Sequence, residues 1–332
     1  MAKLGKTGID LGMMGFGGWP IGGPFTFDGK EDGWGGVDDD ESVKAIHAAL
    51  DAGIRYIDTA DVYGTGRSER VIGRAIKGRR DQVIISTKFG FQYDEDSKVA
   101  WAICDTSPAY IRKACEASLR RLGTDYIDLY LFHVGGDVPP GELGQVIATL
   151  DDLKAEGKIR AYGWSNWKTE AARWFADRSA ADAMMFELNV LHGETDMVGL
   201  CEEKDLAAVC ISPLAMGFLS GKYGRGTKFS KNDVRGAGHS WVTVFRNGEP
   251  VPELLEKLEA VREILTTGGR SLVQGALAWI WAKSPNAVPI PGIKTAAQAA
   301  ELAGAMAHGP LTREQFLEVE RLMGRLPAGS PA

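Results

Sequence analysis

An α/β fold in the form of a closed (β/α)8 barrel is the class this sequence predicts, and three observations predict it. Eight short β-like runs are spread along the chain, helical patterns lie between them, and polar residues stand directly after several of the runs. Each parallel crossover needs a covering helix, so this alternation specifies a parallel sheet rather than a set of hairpins.

The elements follow in order. Lys3 to Asp10, turning at Lys6-Thr7-Gly8, reads as a small hairpin placed to plug the bottom of the barrel. Strands are expected near Met13–Phe16, Arg55–Asp58, Val83–Lys88 and Ile127–Phe132, and then near Ile159–Trp164, Ala183–Leu188, Ala208–Ile211 and Ala287–Ile290. Between them, Val43, Ile46, His47 and Leu50 repeat at helical spacing, as do Leu143, Val146, Ile147, Leu150 and Leu153. Another helix should start at Ser107-Pro108, with Ser107 as cap and Ile111, Cys115, Ser118 and Leu122 turned inward. Gly123 and Gly157 stand where helices end in a left-handed residue. The Gly-rich, polar stretch from Gly217 to Pro252 follows the seventh strand, and a loop of that length is expected to bind something. Leu311–Leu326 is a further amphipathic helix, followed by a Pro/Gly/Ser tail from Pro327 that is expected to fray. Residues 1–332 read as one domain, within the length such barrels span.

Composition excludes several classes. At 44% hydrophobic and 25% charged, the chain can bury a core and cover a surface. A net charge of −6 argues against nucleic acid as a partner. No apolar run reaches the ~18 residues of a membrane span, and Met1-Ala2-Lys3-Leu4-Gly5 lacks the apolar core of a signal peptide, so a cytoplasmic protein is expected. The cysteines, Cys104, Cys115, Cys201 and Cys210, show no pair and no companion His at metal-binding spacing. They read as reduced, mostly buried thiols.

Two apparent nucleotide motifs fail on context. Gly15-Phe16-Gly17-Gly18-Trp19-Pro20 begins like a dinucleotide fingerprint, but Pro20 fills its sixth position and no helical pattern follows. Gly217-Phe218-Leu219-Ser220-Gly221-Lys222 is one residue short of a phosphate loop and is followed by Tyr223. A Gly-rich segment with a Lys after the seventh strand still suits a phosphate, because barrels often hold one near strands seven and eight.

The residues at the strand ends carry the chemistry. Asp58 and Tyr63 follow the second strand, Lys88 ends the third and His133 ends the fourth, all on the rim where barrel active sites lie. Asp58-Thr59-Ala60-x-x-Tyr63-Gly64, Lys88 and Leu129-Tyr130-Leu131-Phe132-His133 resemble the catalytic signature of the aldo-keto reductases. So do Gly163-Trp164-Ser165-Asn166, Ser212-Pro213-Leu214-Ala215-x-Gly217, Ser220-Gly221-Lys222 and Ile290-Pro291-Gly292-x-Lys294-Thr295-x-x-Gln298-x-x-Glu301. The matches keep the family's order and span nearly the whole chain. The resemblance implies a TIM barrel that transfers hydride between a nicotinamide cofactor and a carbonyl. Hydride addition builds negative charge on the carbonyl oxygen, so a proton donor must stand beside it. A free phenol titrates near ~10, too high for an efficient donor at neutral pH. A cationic Lys88 beside Tyr63 would lower that value, and Asp58 would hold Lys88 charged. His133 would hydrogen-bond the carbonyl oxygen. The resemblance gives the four residues these roles, with Tyr63 as the acid, or as the base in alcohol oxidation.

The resemblance also implies how the cofactor is held. Ser165 and Asn166 match positions that hold the nicotinamide carboxamide, and Trp19 matches a residue lining the nicotinamide and substrate pocket. Ser212, Pro213, Leu214, Ala215, Gly217, Leu219, Ser220 and Lys222 match the pyrophosphate cover. Gly292, Lys294, Thr295, Gln298 and Glu301 match the adenosine end, where a cation and a hydroxyl favour NADP(H) over NAD(H). Two positions depart from the family pattern: Met185 replaces a Gln that bonds the nicotinamide amide, and Leu302 stands where an Asn often meets adenine. Both changes predict looser cofactor binding. Trp19, Trp34, Phe91, Tyr93, Trp101, Trp167 and Trp241 fall in rim loops and leave aldehydes, ketones and aldoses all open as substrates. The leading expectation is NADPH-dependent carbonyl reduction on a small molecule. The alternatives are an NAD(P)-dependent sugar dehydrogenase on the same tetrad, or a cofactor-binding regulatory subunit resembling the β subunits of potassium channels. Nothing in the sequence indicates an oligomeric state.

Overall fold

The computed structural model describes residues 2–193 and 195–326; the tail from Pro327 lies outside the described residues. Eight parallel strands form the central sheet. They are β1 (Gly15–Gly17), β2 (Tyr56–Asp58), β3 (Ile84–Phe89), β4 (Ile127–Phe132), β5 (Ile159–Ser165), β6 (Ala183–Glu187), β7 (Ala207–Ile211) and β8 (Ala287–Pro289). Each neighbours the next in sequence, from β1 to β8. The sheet closes on itself just past β8: the Gly17 N–H donates to the Pro291 carbonyl at 2.8 Å, and the Ile293 N–H donates to the Gly17 carbonyl at 3.3 Å. Closure requires glycine here, since a Cβ on Gly17 would stand 2.7 Å from the Ile290 carbonyl oxygen.

The helices cover the strands as the alternation requires. They are α1 (Asp39–Asp51), α2 (Arg67–Ala75), α3 (Pro108–Leu122), α4 (Pro140–Ala155), α5 (Thr169–Arg178) and α6 (Met197–Lys204). Two helices, α7 (Pro252–Thr266) and α8 (Leu272–Lys283), separate β7 from β8; α9 (Ala296–His308) and α10 (Arg313–Leu322) follow. The local chemistry sets their ends. Asp38 caps α1 by accepting from the Glu41 N–H at 2.9 Å, and Asp39, Asp40 and Glu41 suit the positive end of its dipole. Ser107 caps α3 ahead of Pro108, and Ile111, Cys115, Ser118 and Leu122 are buried as expected. Gly123 and Gly157 take the left-handed conformation, with φ of 66° and 75°. The last helix is shorter than the Leu311–Leu326 expectation: it starts after a Thr312 cap, and Gly324 turns the chain out of it with φ of 76°.

Two cores result. The larger one lies between the strands and the helices, and includes Ile57, Ile85, Tyr130, Phe132, Trp164 and Phe186. The smaller one fills the barrel and includes Tyr56, Leu129, Leu131, Ala161, Met185, Val209, Val288 and Ile290. Side chains alternate between the two along each strand, so both strand faces are apolar and the strands read as near-continuous hydrophobic runs. The N-terminal hairpin pairs Ala2–Lys3 with Asp10–Gly12 and pushes Ala2, Leu4 and Leu11 into the inner core, closing the bottom. The mouth at the other end carries structure the periodicity did not announce. Phe25–Phe27, Lys30–Asp32, Phe91–Asp94 and Val99–Cys104 build a four-stranded sheet from the segments after β1 and β3.

Candidate active site

Alternation along the strands decides what faces the mouth. Asp58 lies two residues beyond inward-facing Tyr56, and Ser86 and Lys88 share one face of β3. These side chains meet inside the barrel. The Lys88 ammonium donates to an Asp58 carboxylate oxygen at 2.7 Å and to the Thr59 carbonyl at 2.7 Å, and it lies 3.1 Å from the Tyr63 hydroxyl. Lys88 and Asp58 are buried, at 0% and 2% exposure, which makes this ion pair a desolvated one rather than a surface contact. The other Asp58 oxygen accepts from the Ser86 hydroxyl at 2.6 Å, and Ser86 is 2.8 Å from the Tyr56 hydroxyl. Since Ser86 spends its one proton on Asp58, Tyr56 must be the donor to Ser86. A buried chain thus runs from Tyr56 through Ser86, Asp58 and Lys88 to Tyr63. Tyr56 and Ser86 are the members that sequence reasoning missed. Their only signal is the strand period that puts them on the faces of Asp58 and Lys88.

The charge states follow from this packing. Burial pulls the Lys88 ammonium down, but Asp58 and Tyr63 more than offset it and hold the ammonium above its ordinary value. Burial also lifts the Tyr63 phenol above its usual range, and Lys88 recovers only part of that rise. Tyr63 is therefore a protonated phenol whose oxygen already receives a cationic donor. Burial, and then the Lys88 charge, pull His133 well below the usual imidazole value, so its ring is neutral at pH 7 with a single N–H. That ring packs edge-on to Tyr63, with centroids 5.9 Å apart, and against Phe91 at 5.3 Å.

Aromatic residues wall the mouth above these groups. Trp19 packs on Tyr63 at 6.1 Å, on Trp34 at 5.3 Å and on Trp241 at 5.8 Å between ring centroids. Behind Trp19, burial pushes the Asp32 carboxyl up to about 6, against the pull of His239 at 3.7 Å, the Gly33 N–H and the Trp19 indole. Trp19, Trp34, Phe91 and Trp241 gather here. Tyr93 instead lies 5.9 Å beneath the Arg121 guanidinium, Trp101 is exposed on the added sheet, and Trp167 covers Gly135.

The residues expected to hold a cofactor lie around the same rim, in varied states. Ser165 is half-buried at the end of β5. The backbone after β7 is strained: Ser212, Ala215 and Met216 all take positive φ, at 49°, 47° and 54°. Non-glycine residues in this region cost about 1–3 kcal/mol each and cluster at ligand clamps. Pro213, Ala215 and Leu219 are buried in that turn, Leu214 and Gly217 are half-buried beside them, and Lys222 is exposed just past it. The Ser220 hydroxyl is taken by the Gly217 carbonyl at 2.6 Å. At the start of α9, past exposed Gly292, Thr295 and Gln298 form a capping box, while Glu301 is exposed. Lys294 donates to the carbonyls of Trp34 and Gly36 at 3.1 and 3.2 Å, and has no carboxylate partner among the described residues. Leu302 is buried, and Met185 is fully buried in the inner core, so neither presents a polar contact to a ligand. The strained turn, the exposed Lys222, the half-buried Lys294 and the half-buried hydroxyls together fit an extended, phosphate-bearing cofactor.

One buried group beside the site serves no partner. Both Asp61 oxygens lack a hydrogen-bond partner among the described residues, and burial, then the nearby Glu69 charge, push its carboxyl well above the usual range. A carboxyl raised in the folded state costs nothing below its unfolded value of ~4 and increasingly more as pH rises beyond that. Asp61→Asn is expected to stabilise the protein by roughly 1–3 kcal/mol at pH 8 and by little at pH 4. Thermal melts at the two pH values check this, and an equal effect at both would remove the charge from the explanation.

A barrel whose mouth joins a buried Asp–Lys pair to a phenol agrees with what its relatives define: this protein is an NAD(P)H-dependent oxidoreductase. The chain matches the model of the aldo/keto reductase family over residues 13–323 and belongs to that family. It is 34% identical to the aldo-keto reductase YhdN of Bacillus subtilis over 289 residues, covering 84% of this chain and 80% of that protein. It is 30% identical to the NADH-specific methylglyoxal reductase of Escherichia coli, covering 96% and 98% of the two chains. Among solved structures, the holo form of aldo-keto reductase AKR11C1 from Bacillus halodurans aligns with a TM-score of 0.78 at 29% identity, covering 99% of this chain and 97% of that one. A Klebsiella pneumoniae aldo-keto reductase in complex with NADPH aligns at 0.70 and 25% identity, covering 98% and 96%. Carbonyl reduction is the general chemistry of the family. Among the described residues, no helix is long and apolar enough to cross a membrane.

Proposed function

We propose that this protein reduces aldehydes and ketones with NADPH, and that Tyr63 gives the proton. The observation that carries the reading is the Lys88 ammonium, held by Asp58 at 2.7 Å and lying 3.1 Å from the Tyr63 oxygen at the open end of the barrel. The bound nicotinamide supplies the hydride. As negative charge grows on the carbonyl oxygen, the Tyr63 O–H donates to it, and Lys88 stabilises the phenolate left behind. Asp58 holds Lys88 charged against the downward pull of burial. A neutral His133 donates its single N–H to the same oxygen and fixes the carbonyl for attack. Trp19, Trp34, Trp241 and Phe91 keep water from the reacting atoms and favour flat, apolar substrates over charged ones.

NADPH is favoured over NADH because the Lys294 ammonium and Thr295 hydroxyl stand at the start of α9, with no carboxylate bonded to the lysine among the described residues. The NADPH complex of the Klebsiella relative supports this, and the name of the Escherichia coli relative makes it worth testing directly. The test is loss of NADPH or NADH absorbance with an activated aromatic aldehyde. The expected result is a kcat/KM at least about tenfold higher with NADPH, equivalent to ~1.4 kcal/mol of transition-state binding. Because burial raises the Tyr63 phenol, the reductive rate should hold through neutral pH and fall only at alkaline pH. Alcohol oxidation, which needs the phenolate, should climb over that alkaline range. A reductive rate already halved by pH 8 would take Tyr63 out of the role of acid.

A further inference from the structure

Among the described residues, no hydrogen bond holds the side chain of His133. Its Nδ1 is buried without a hydrogen-bond partner among the described residues, and its ring is fixed only by packing on Tyr63 and Phe91. The backbone on either side of it is tied down instead. Before it, the His133 N–H donates to the Phe89 carbonyl at 2.7 Å. After it, residues 134–137 are held against Trp164 near the end of β5 and against residues 166–168 that follow it. The Trp164 indole N–H donates to the Val134 carbonyl at 2.7 Å. The Asn166 amide closes a two-way bond with Gly136, accepting from its N–H at 3.0 Å and donating to its carbonyl at 2.9 Å. Its oxygen also accepts from the Lys168 N–H at 3.0 Å. Trp167 lies so close over Gly135 that a Cβ there would have no room beside the indole, and Lys168 pairs with Asp137.

We propose that Asn166 is a positioning residue for His133, acting through the Gly136 backbone, and that it does not carry the grip on the nicotinamide carboxamide. An amide has two acceptor and two donor valences. Both acceptor valences and one donor of Asn166 are used within the chain, and the residue is 1% exposed. The one Asn166 N–H left over is enclosed with the rest of that residue, and with Met185 sealed in the inner core, Ser165 is the half-buried neighbour left to meet the carboxamide. The inference rests on His133 orienting the carbonyl, so its test must separate that role from cofactor binding.

Three readouts do so: the NADPH dissociation constant from tryptophan quenching, kcat with an aromatic aldehyde, and hydrogen exchange of the 133–137 segment. In Asn166→Ala, exchange of that segment should speed up and kcat should fall about 10–100-fold, the scale of a displaced catalytic group. The dissociation constant should stay within about threefold of wild type, because only ground-state cofactor binding would move it further. Asn166→Asp keeps both acceptor bonds, to Gly136 and Lys168, and should recover most of the lost kcat. A residue that held the carboxamide would behave oppositely, since Asp lacks the donor. A dissociation constant raised about tenfold in either variant, or unchanged exchange in Asn166→Ala, overturns the inference. If wild type turns over no aldehyde, the proposed function fails, while exchange and cofactor binding still decide the role of Asn166.

Discussion

Tyr63→Phe is expected to lower kcat for carbonyl reduction by about 10²–10⁴-fold, the range ascribed to a positioned general acid, and to leave NADPH binding within about threefold. The substitution removes one oxygen, whose single hydrogen bond among the described residues is the 3.1 Å contact from Lys88. Lys88 keeps its bonds to Asp58 and Thr59, and the ring keeps its packing on Trp19 and His133. Stability should therefore shift by no more than about 1 kcal/mol. Stopped-flow NADPH oxidation beside a thermal melt and a fluorescence titration checks all three quantities. The informative outcome is the split between them. A loss in kcat without a change in cofactor affinity or melting identifies a group used only in the transition state. Turnover within tenfold of wild type would mean that His133 or water delivers the proton.

The barrel was legible because its physics is repetitive. Each strand is buried on both faces, so it writes a continuous apolar run such as Ile127–Phe132, and each crossover must supply a helix with caps such as Asp38 and Ser107. Asp58, Lys88 and His133 were legible for the same reason: a polar residue at the end of such a run has nowhere to point but the mouth. The added sheet was harder. Phe25–Phe27 pairs with Val99–Cys104 across some seventy residues, and periodicity carries no information about so distant a partner. Its nearer hairpin did leave a signal in Asp28-Gly29, both with positive φ, which is the dipeptide a tight hairpin turn favours. The detailed use of polar groups was the least legible. Motif matching assigns Asn166 and Gln298 to a ligand, yet the fold employs both on its own backbone, one against Gly136 and one as a helix cap. Short polar side chains find backbone partners readily, and sequence alone does not say which claim on them wins. The net lift of the Tyr63 phenol was likewise hidden, since it depends on how deeply the turn after β2 is packed.

Lys88→Met should do what Tyr63→Phe does not, and cost stability as well as turnover. Removing the ammonium leaves the Asp58 carboxylate buried at 2% exposure with, among the described residues, only the Ser86 hydroxyl bonded to it. Breaking a buried pair from one side typically costs about 3–5 kcal/mol, which for a chain of this size lowers the melting temperature by roughly 4–7 °C. The loss should depend on pH, with a definite sign. Burial already raises the Asp58 carboxyl beside Lys88, and loss of the ammonium raises it further, so the added penalty is absent at low pH, where both folded proteins hold the carboxyl neutral, and grows as pH rises past the wild-type value. Pairing Lys88→Met with Asp58→Asn removes the stranded charge and should recover most of the melting temperature, while turnover stays lost because Tyr63 has no cation beside it. Melts of the four proteins at pH 5 and pH 8, with kcat measured alongside, close the cycle. If the double variant melts as low as Lys88→Met, the cost is lost packing around the lysine stem rather than an uncompensated charge. If it regains turnover, the Lys88 charge is not what makes Tyr63 an acid.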